Sequence, residues 1–308
     1  MDAEICKNFL LVRTNFPDQL DSEGKYYFND DQHFKEYCYK GKCDSPLDKI
    51  NAGCLYFFNE FFKNYSVFES VAKSNINVVE YIMIWLSYML SLVKNETNDS
   101  LKHFYTTFIK GGDKYTNNIN YISGYNGYKD LVDKKLYYLD MDNNIISKFY
   151  YAFKTLCNMY SECDGKNKDF TKCSNDAKDF VNKYNELNED HSITGNVSYS
   201  QILCTLSTDY NNLKSKCSDS SSFPEIKTPQ NCVKSFEHSY QLISAQNSEV
   251  ASSSSLIVNK LFIVLSIFGA IGIFLGISYK YSLFGFRKRV QKQYLREKIK
   301  NIKKKMNQ

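Results

Sequence analysis

From Leu47 to Leu213 apolar residues return every three or four positions, the spacing that lines one face of a helix. Leu47, Ile50, Cys54, Phe57, Phe61 and Tyr65 form the first such stripe. Ser45-Pro46-Leu47-Asp48 stands at its head, with Ser45 placed to cap, Pro46 at the first helical position and Asp48 completing a capping-box pair. Asn77 with Glu80 predicts the cap of the next helix. Further stripes run over Leu101 to Ile109, Leu131 to Leu139, Ile145 to Tyr160, Ala177 to Leu187 and Tyr199 to Leu213, and Gly111-Gly112 closes the first of these. The four prolines are Pro17, Pro46, Pro224 and Pro229, so nothing between residues 47 and 223 breaks a helix by ring constraint. Seven or so helices with short polar connections predict an all-α domain.

Two apolar runs depart from this amphipathic pattern. Leu261 to Tyr279, LFIVLSIFGAIGIFLGISY, is nineteen residues without a charge between Lys260 and Lys280. At 1.5 Å per residue it covers roughly 30 Å, the thickness of a bilayer hydrocarbon core, and predicts a transmembrane helix. Tyr81 to Val93, YIMIWLSYMLSLV, is thirteen residues between Glu80 and Lys94, too short to span, and predicts a buried core helix.

Charge and cysteine distribution orient the longer run. The net charge of the chain is +5, but residues 280–308 hold eleven basic residues against one acid, Glu297, a local charge of +10. The remainder, with 28 basic and 33 acidic residues, is mildly acidic, which disfavours a nucleic-acid partner. The basic tail belongs on the cytoplasmic side. All ten cysteines (Cys6, Cys38, Cys43, Cys54, Cys157, Cys163, Cys173, Cys204, Cys217 and Cys232) precede the apolar run, which suits an oxidising exterior and up to five disulfides. The N-terminus, MDAEICKNFLLVRTNF, starts acidic and has an apolar run of only four residues, unlike a secretory signal peptide.

The expected organisation is therefore an α-helical, disulfide-stabilised ectodomain over 1–217, a Ser- and Pro-containing stalk over 218–260, a single C-terminal transmembrane helix over 261–279, and a basic cytoplasmic tail over 280–308. Cys232 is placed to tether part of the stalk back to the domain. Hydrophobic content of 43%, with 25 Tyr and 22 Phe against one Trp, predicts a core built on Phe and Tyr. The accompanying wealth of Lys, Asn and Ile has a second explanation in codons rich in A and T.

Candidate chemistry is sparse. No phosphate-binding glycine loop, zinc-protease HExxH or nucleophile elbow occurs, and His33, His103, His191 and His238 are scattered singly, as surface histidines are. No catalytic residue, cofactor or metal site is expected. The cysteines lack C-x-x-C spacing and neighbouring His pairs, so structural disulfides are preferred to zinc. Connectivity is not readable, and short bridges within Cys38, Cys43 and Cys54 and within Cys157, Cys163 and Cys173 are the working expectation. Asn64, Asn95, Asn98 and Asn196 head N-glycosylation sequons of the kind that an Asn-rich chain also produces by chance. In the apolar helix Gly272 and Gly276, with Gly269 a turn earlier, would let two helices approach closely, although glycine is common in membrane helices and a homodimer is the lesser expectation. The tail places Val290, Tyr294, Ile299, Ile302 and Met306 on one side of a helix, with Arg287, Lys288, Arg289, Lys292 and Arg296 available to anionic lipid. A plain topology signal with no partner is the alternative.

Several strings together resemble one family. GKCDSPLDKINAGCLYFFNEFF (Gly41 to Phe62), YIMIWLSYMLSL (Tyr81 to Leu92), ISKFYYAFKTLCNMY (Ile146 to Tyr160), SYSQILCTLSTDYNNLK (Ser198 to Lys214) and GISYKYSLFGFRKRVQKQYLREKIKNIKKKMN (Gly276 to Asn307) are similar, in this order, to the Plasmodium interspersed repeat (PIR) proteins of rodent malaria, the CIR/BIR/YIR group. The resemblance implies a non-catalytic variant antigen, displayed on or exported to a parasite, vacuolar or infected-cell membrane, and acting in immune evasion or host-cell interaction. A host-cell protein or an antibody is the implied partner beyond the bilayer. Two other readings stay open: an adhesin-like module for a specific host receptor, and an intracellular membrane-organising protein working through its tail.

Overall fold

The computed structural model describes residues 1–28, 32–93, 100–163, 169–217, 223–229 and Cys232. These belong to one unit of the chain, Met1–Tyr240. The expected transmembrane helix, its three glycines and the basic tail with its lipid-facing cations lie outside the described residues. No helix among the described residues is long and apolar enough to cross a membrane.

The described architecture is all helical, with no strand and only two isolated bridges, Tyr39 with Lys42 and Asn118 with Gly127. The α-helices are α1 (Ala3–Asn15), α2 (Pro46–Phe62), α3 (Tyr65–Ser70), α4 (Val78–Leu92), α5 (Ser100–Phe104), α6 (Tyr128–Asp133), α7 (Asn143–Cys163), α8 (Phe170–Glu189), α9 (His191–Thr194) and α10 (Val197–Lys216). Short 3-10 turns cover Gln32–Tyr37, Asp113–Thr116 and Leu136–Asp140.

Local sequence explains most of these boundaries. The Ser45 hydroxyl accepts from Asp48 N at 3.1 Å while the Asp48 carboxylate accepts from Ser45 N at 2.9 Å, so the capping box is complete. Asn64 accepts from Val67 N at 2.9 Å and starts α3. Tyr65 therefore leaves the stripe predicted for α2 and stands 57% exposed. The stripe from Leu101 to Ile109 is also corrected: α5 passes into a π-helical turn, Tyr105–Ile109, before the two glycines. A Cβ on Gly112 would meet the Phe108 carbonyl oxygen at 2.0 Å, so only glycine fits that exit. Leu131 to Leu139 is likewise not one helix but α6 followed by a 3-10 turn.

The core forms around α4, buried from Val78 to Leu90, as the length of its apolar run required. It packs against α2 on one side and α7 on another, while α7 and α8 form a hairpin and α1 lies along α7. Aromatic rings fill the spaces: Phe9 meets Phe57 at 4.3 Å and Phe153 at 4.8 Å, Trp85 meets Phe57 at 5.0 Å, and Tyr81 stacks on Phe153 at 4.6 Å.

Tyrosine rather than phenylalanine appears where helices meet buried carboxylates, because a buried hydroxyl and a buried acid satisfy each other. Asp209 of α10 accepts from Tyr81 of α4 at 2.5 Å and from the Met1 amino group at 2.6 Å, and its carbonyl accepts from Tyr160 of α7 at 2.8 Å. Asp18 accepts from Tyr150 at 3.0 Å and pairs with Lys154 at 2.6 Å, and its carbonyl accepts from Tyr88 at 2.9 Å. Glu80, expected at a helix cap, is instead 1% exposed and takes hydrogen bonds from Tyr137 and Tyr138 and an ion pair from Lys135. Asn77 is the N-cap of α4, as expected, with Glu80 in the first turn, but it makes no side-chain cap bond. Burial, and then the neighbouring acid, holds the hydroxyls of Tyr81, Tyr137, Tyr138 and Tyr150 well above the usual tyrosine range.

Part of the expected stalk is built into this unit. Phe223 is buried, Tyr210 donates to the Pro224 carbonyl at 2.7 Å, Tyr184 donates to the Lys227 carbonyl at 3.2 Å, and Cys232 bonds to Cys204. The Cys204–Cys232 bond is the tether expected of Cys232.

Candidate binding surface

Four disulfides form among the described residues: Cys6–Cys157, Cys38–Cys43, Cys163–Cys173 and Cys204–Cys232. Two match the expected short bridges. Cys157 does not pair within its own cluster; it crosses to Cys6 because α1 lies along α7. Cys54 is a buried thiol, and burial pushes its pKa up to about 12, so it stays protonated and inert. The sulfurs of Cys163, Cys173 and Cys217 lie within 4.8 Å of one another. Two of those sulfurs belong to the Cys163–Cys173 bridge.

His33, His103 and His191 are exposed. Asn64 and Asn196 are helix N-caps, which gives these two sequon asparagines a local structural use. Asn95 and Asn98 lie outside the described residues.

The described surface converges on charge at one place. The Cys38–Cys43 bridge closes a tight turn in which Lys40 and Gly41 adopt φ of 49° and 74°, the second of these at no steric cost. Lys114 clamps the approach to this turn by donating to the Tyr37 carbonyl at 2.8 Å and to those of Glu36 and Cys38. Against the turn lies a concavity of about 430 Å³, with Phe16, Phe28 and Phe34 below and Lys35, Lys42, Lys49 and Asp44 around it. Lys49 sits 5.2 Å from the Phe28 ring centroid, and none of the three lysines makes an ion pair among the described residues. Tyr39, 77% exposed with Lys40 over its ring, projects from the same turn.

Such a site can hold an anionic group by charge and by contact with aromatic faces. No nucleophile beside a base lines it, since its cysteines are bridged. Sequence reasoning missed it because Lys35, Lys42 and Lys49 come from a 3-10 turn, a disulfide loop and α2, and meet only in the fold.

The sequence profile of a family described as Plasmodium variant antigen protein Cir/Yir/Bir matches residues 6–280. A solved structure titled "Structure of a Plasmodium PIR protein ectodomain" is 34% identical, with a TM-score of 0.57, and the match covers 73% of this chain and 97% of that one. Comparison with curated proteins finds no match.

Proposed function

This chain belongs to the Plasmodium Cir/Yir/Bir variant antigen family, and from that premise we propose that it is a non-catalytic antigen displayed on or exported to a membrane of the infected cell, serving immune evasion and host-cell contact. The observation that carries this reading is the division of the domain into a cross-linked interior and a variable-capable shell. Four disulfides and the tyrosine–acid contacts hold the helices from within. Exposed positions such as Tyr27, Tyr39, Tyr65 and Val197 contribute little to that interior and can change between copies at small cost to stability. In this proposal residues 261–279 span the bilayer, with the helical domain outside and the tail on lipid.

Labelling intact infected cells with an antibody to the helical domain tests display. Signal is expected without permeabilisation and should vanish after external protease; signal that appears only after permeabilisation removes the display reading.

A second reading, adhesion to a host-cell ligand, is favoured by the basic concavity. If the lysines act together, the triple substitution Lys35→Glu, Lys42→Glu, Lys49→Glu should lower the salt concentration that elutes the full chain from a sulfated-polysaccharide column, because each lost phosphate- or sulfate-type contact flattens the salt dependence. An unchanged elution with an unchanged circular dichroism spectrum would leave the concavity without a role in adhesion.

A further inference from the structure

The turn beside the basic concavity is built to hold its side chains still. Lys40 and Gly41 both have positive φ, 49° and 74°, and Lys42 N donates to the Tyr39 carbonyl at 3.0 Å, the mirror-image turn found in tight hairpins. Tyr39 and Lys42 pair antiparallel across it. The Cys38–Cys43 bridge closes the turn from outside, and Lys114 ties down the Glu36, Tyr37 and Cys38 carbonyls that lead into it. The freedom that a loop ordinarily loses when it binds a partner is here already lost on folding.

Residues opposite each other across an antiparallel pair leave it on the same side, so the Tyr39 ring and the Lys42 chain project together. Lys42 lines the concavity. Tyr39 is 77% exposed, and Lys40 Nζ lies 5.3 Å from its ring centroid. Lys35 and Lys49 add two more cations at the concavity, where Asp44 is the one acid among the described lining residues. Lys40, like the three lysines of the concavity, makes no ion pair among the described residues. All four cations are lysines, and this decides the kind of anion. The planar fork of arginine suits two-pronged contacts with phosphate or carboxylate, whereas each lysine is a point charge. Separate point charges beside an exposed ring match single-charged sulfates spaced along a sugar chain, with the C–H face of a sugar ring laid on the phenol.

Resting on the adhesion reading, we infer that the Tyr39–Lys42 turn and the concavity together bind a sulfated sugar chain, one sugar ring against Tyr39 and its sulfates on Lys35, Lys40, Lys42 and Lys49.

The basic tail, with its charge of +10, attracts polyanions as well, so the test must resolve single residues. Lysine acylation of the full chain in neutral detergent, read by mass spectrometry, does so. A heparin tetrasaccharide should protect Lys35, Lys40, Lys42 and Lys49, and Tyr39→Ala should raise the concentration needed by about fivefold, the scale of one aromatic contact. Tyr39→Phe keeps the ring and should leave that concentration unchanged. Tripolyphosphate, a polyanion without sugar rings, should protect without regard to the residue at position 39. Tyr39 is mostly exposed, so both variants should keep the helical circular dichroism spectrum. Protection by the tetrasaccharide confined to the tail overturns the inference and removes the concavity from any role with sulfated chains. Protection of the four lysines that Tyr39→Ala leaves unchanged overturns the inference alone, and adhesion through charge survives it.

Discussion

Replacing Cys6 and Cys157 together by alanine should lower the stability of the helical domain by about 5 kcal/mol, more than the loss of any other bridge in it. Chain entropy sets the expectation. A cross-link restricts the unfolded chain in proportion to the logarithm of the loop that it closes, and the bridges close sequence separations of 151, 28, 10 and 5 residues. The corresponding contributions are about 5 kcal/mol for Cys6–Cys157, about 3.6 for Cys204–Cys232, about 2.7 for Cys163–Cys173 and about 2 for Cys38–Cys43. For a domain of this size 1 kcal/mol moves Tm by roughly 2–4 °C, so the first variant should melt about 10–20 °C lower. Alanine fills both positions without adding a polar group to buried sites. Urea unfolding of the four paired variants checks the order. Equal losses for the Cys6–Cys157 and Cys38–Cys43 variants would show that local strain or packing, not loop closure, governs the bridges.

That long bridge also marks where sequence reasoning stops. The helices with strong stripes, α2, α7, α8 and α10, were legible because each buries one face, and α4 was legible because its run is apolar on every side and too short for a bilayer. Short cysteine pairs were legible because neighbours in sequence are neighbours in space. The pairing of Cys6 with Cys157 was not, since it depends on α1 lying along α7, and nothing local to either residue encodes that contact. The same cause hides the basic concavity. Lys35, Lys42 and Lys49 look like ordinary surface lysines until packing sets them around a concavity. Glu80 is the mixed case: its spacing from Asn77 marked the start of α4 correctly, but Lys135, Tyr137 and Tyr138, far along the chain, take its carboxylate in place of the cap.

Glu80→Ala should cost about 3–5 kcal/mol, the range found when one partner of a buried ion pair is removed. The carboxylate does three things at once: it neutralises Lys135, whose side chain is 20% exposed, and accepts from Tyr137 and from Tyr138, the latter at 2.9 Å. Its loss strands a cation and frees two hydroxyls, and the cation is the larger part. Lys135→Met added to Glu80→Ala should therefore recover stability relative to the single variant, although each change alone destabilises. Urea unfolding of the four proteins in this cycle checks it, and strictly additive losses would mean that the three contacts do not act as a unit. The tyrosines add a pH dependence of known sign. Burial first, and the Glu80 charge second, raise the pKa of Tyr137 and Tyr138 in the folded state. A raised folded pKa gives stability that is fully present below the unfolded value of about 10 and is lost as pH climbs from there towards the folded value. The domain should thus hold its stability from neutral pH to about pH 10 and unfold at lower urea above it. Flat urea midpoints between pH 9 and pH 11.5 would mean that these hydroxyls are not buried against the acid as described.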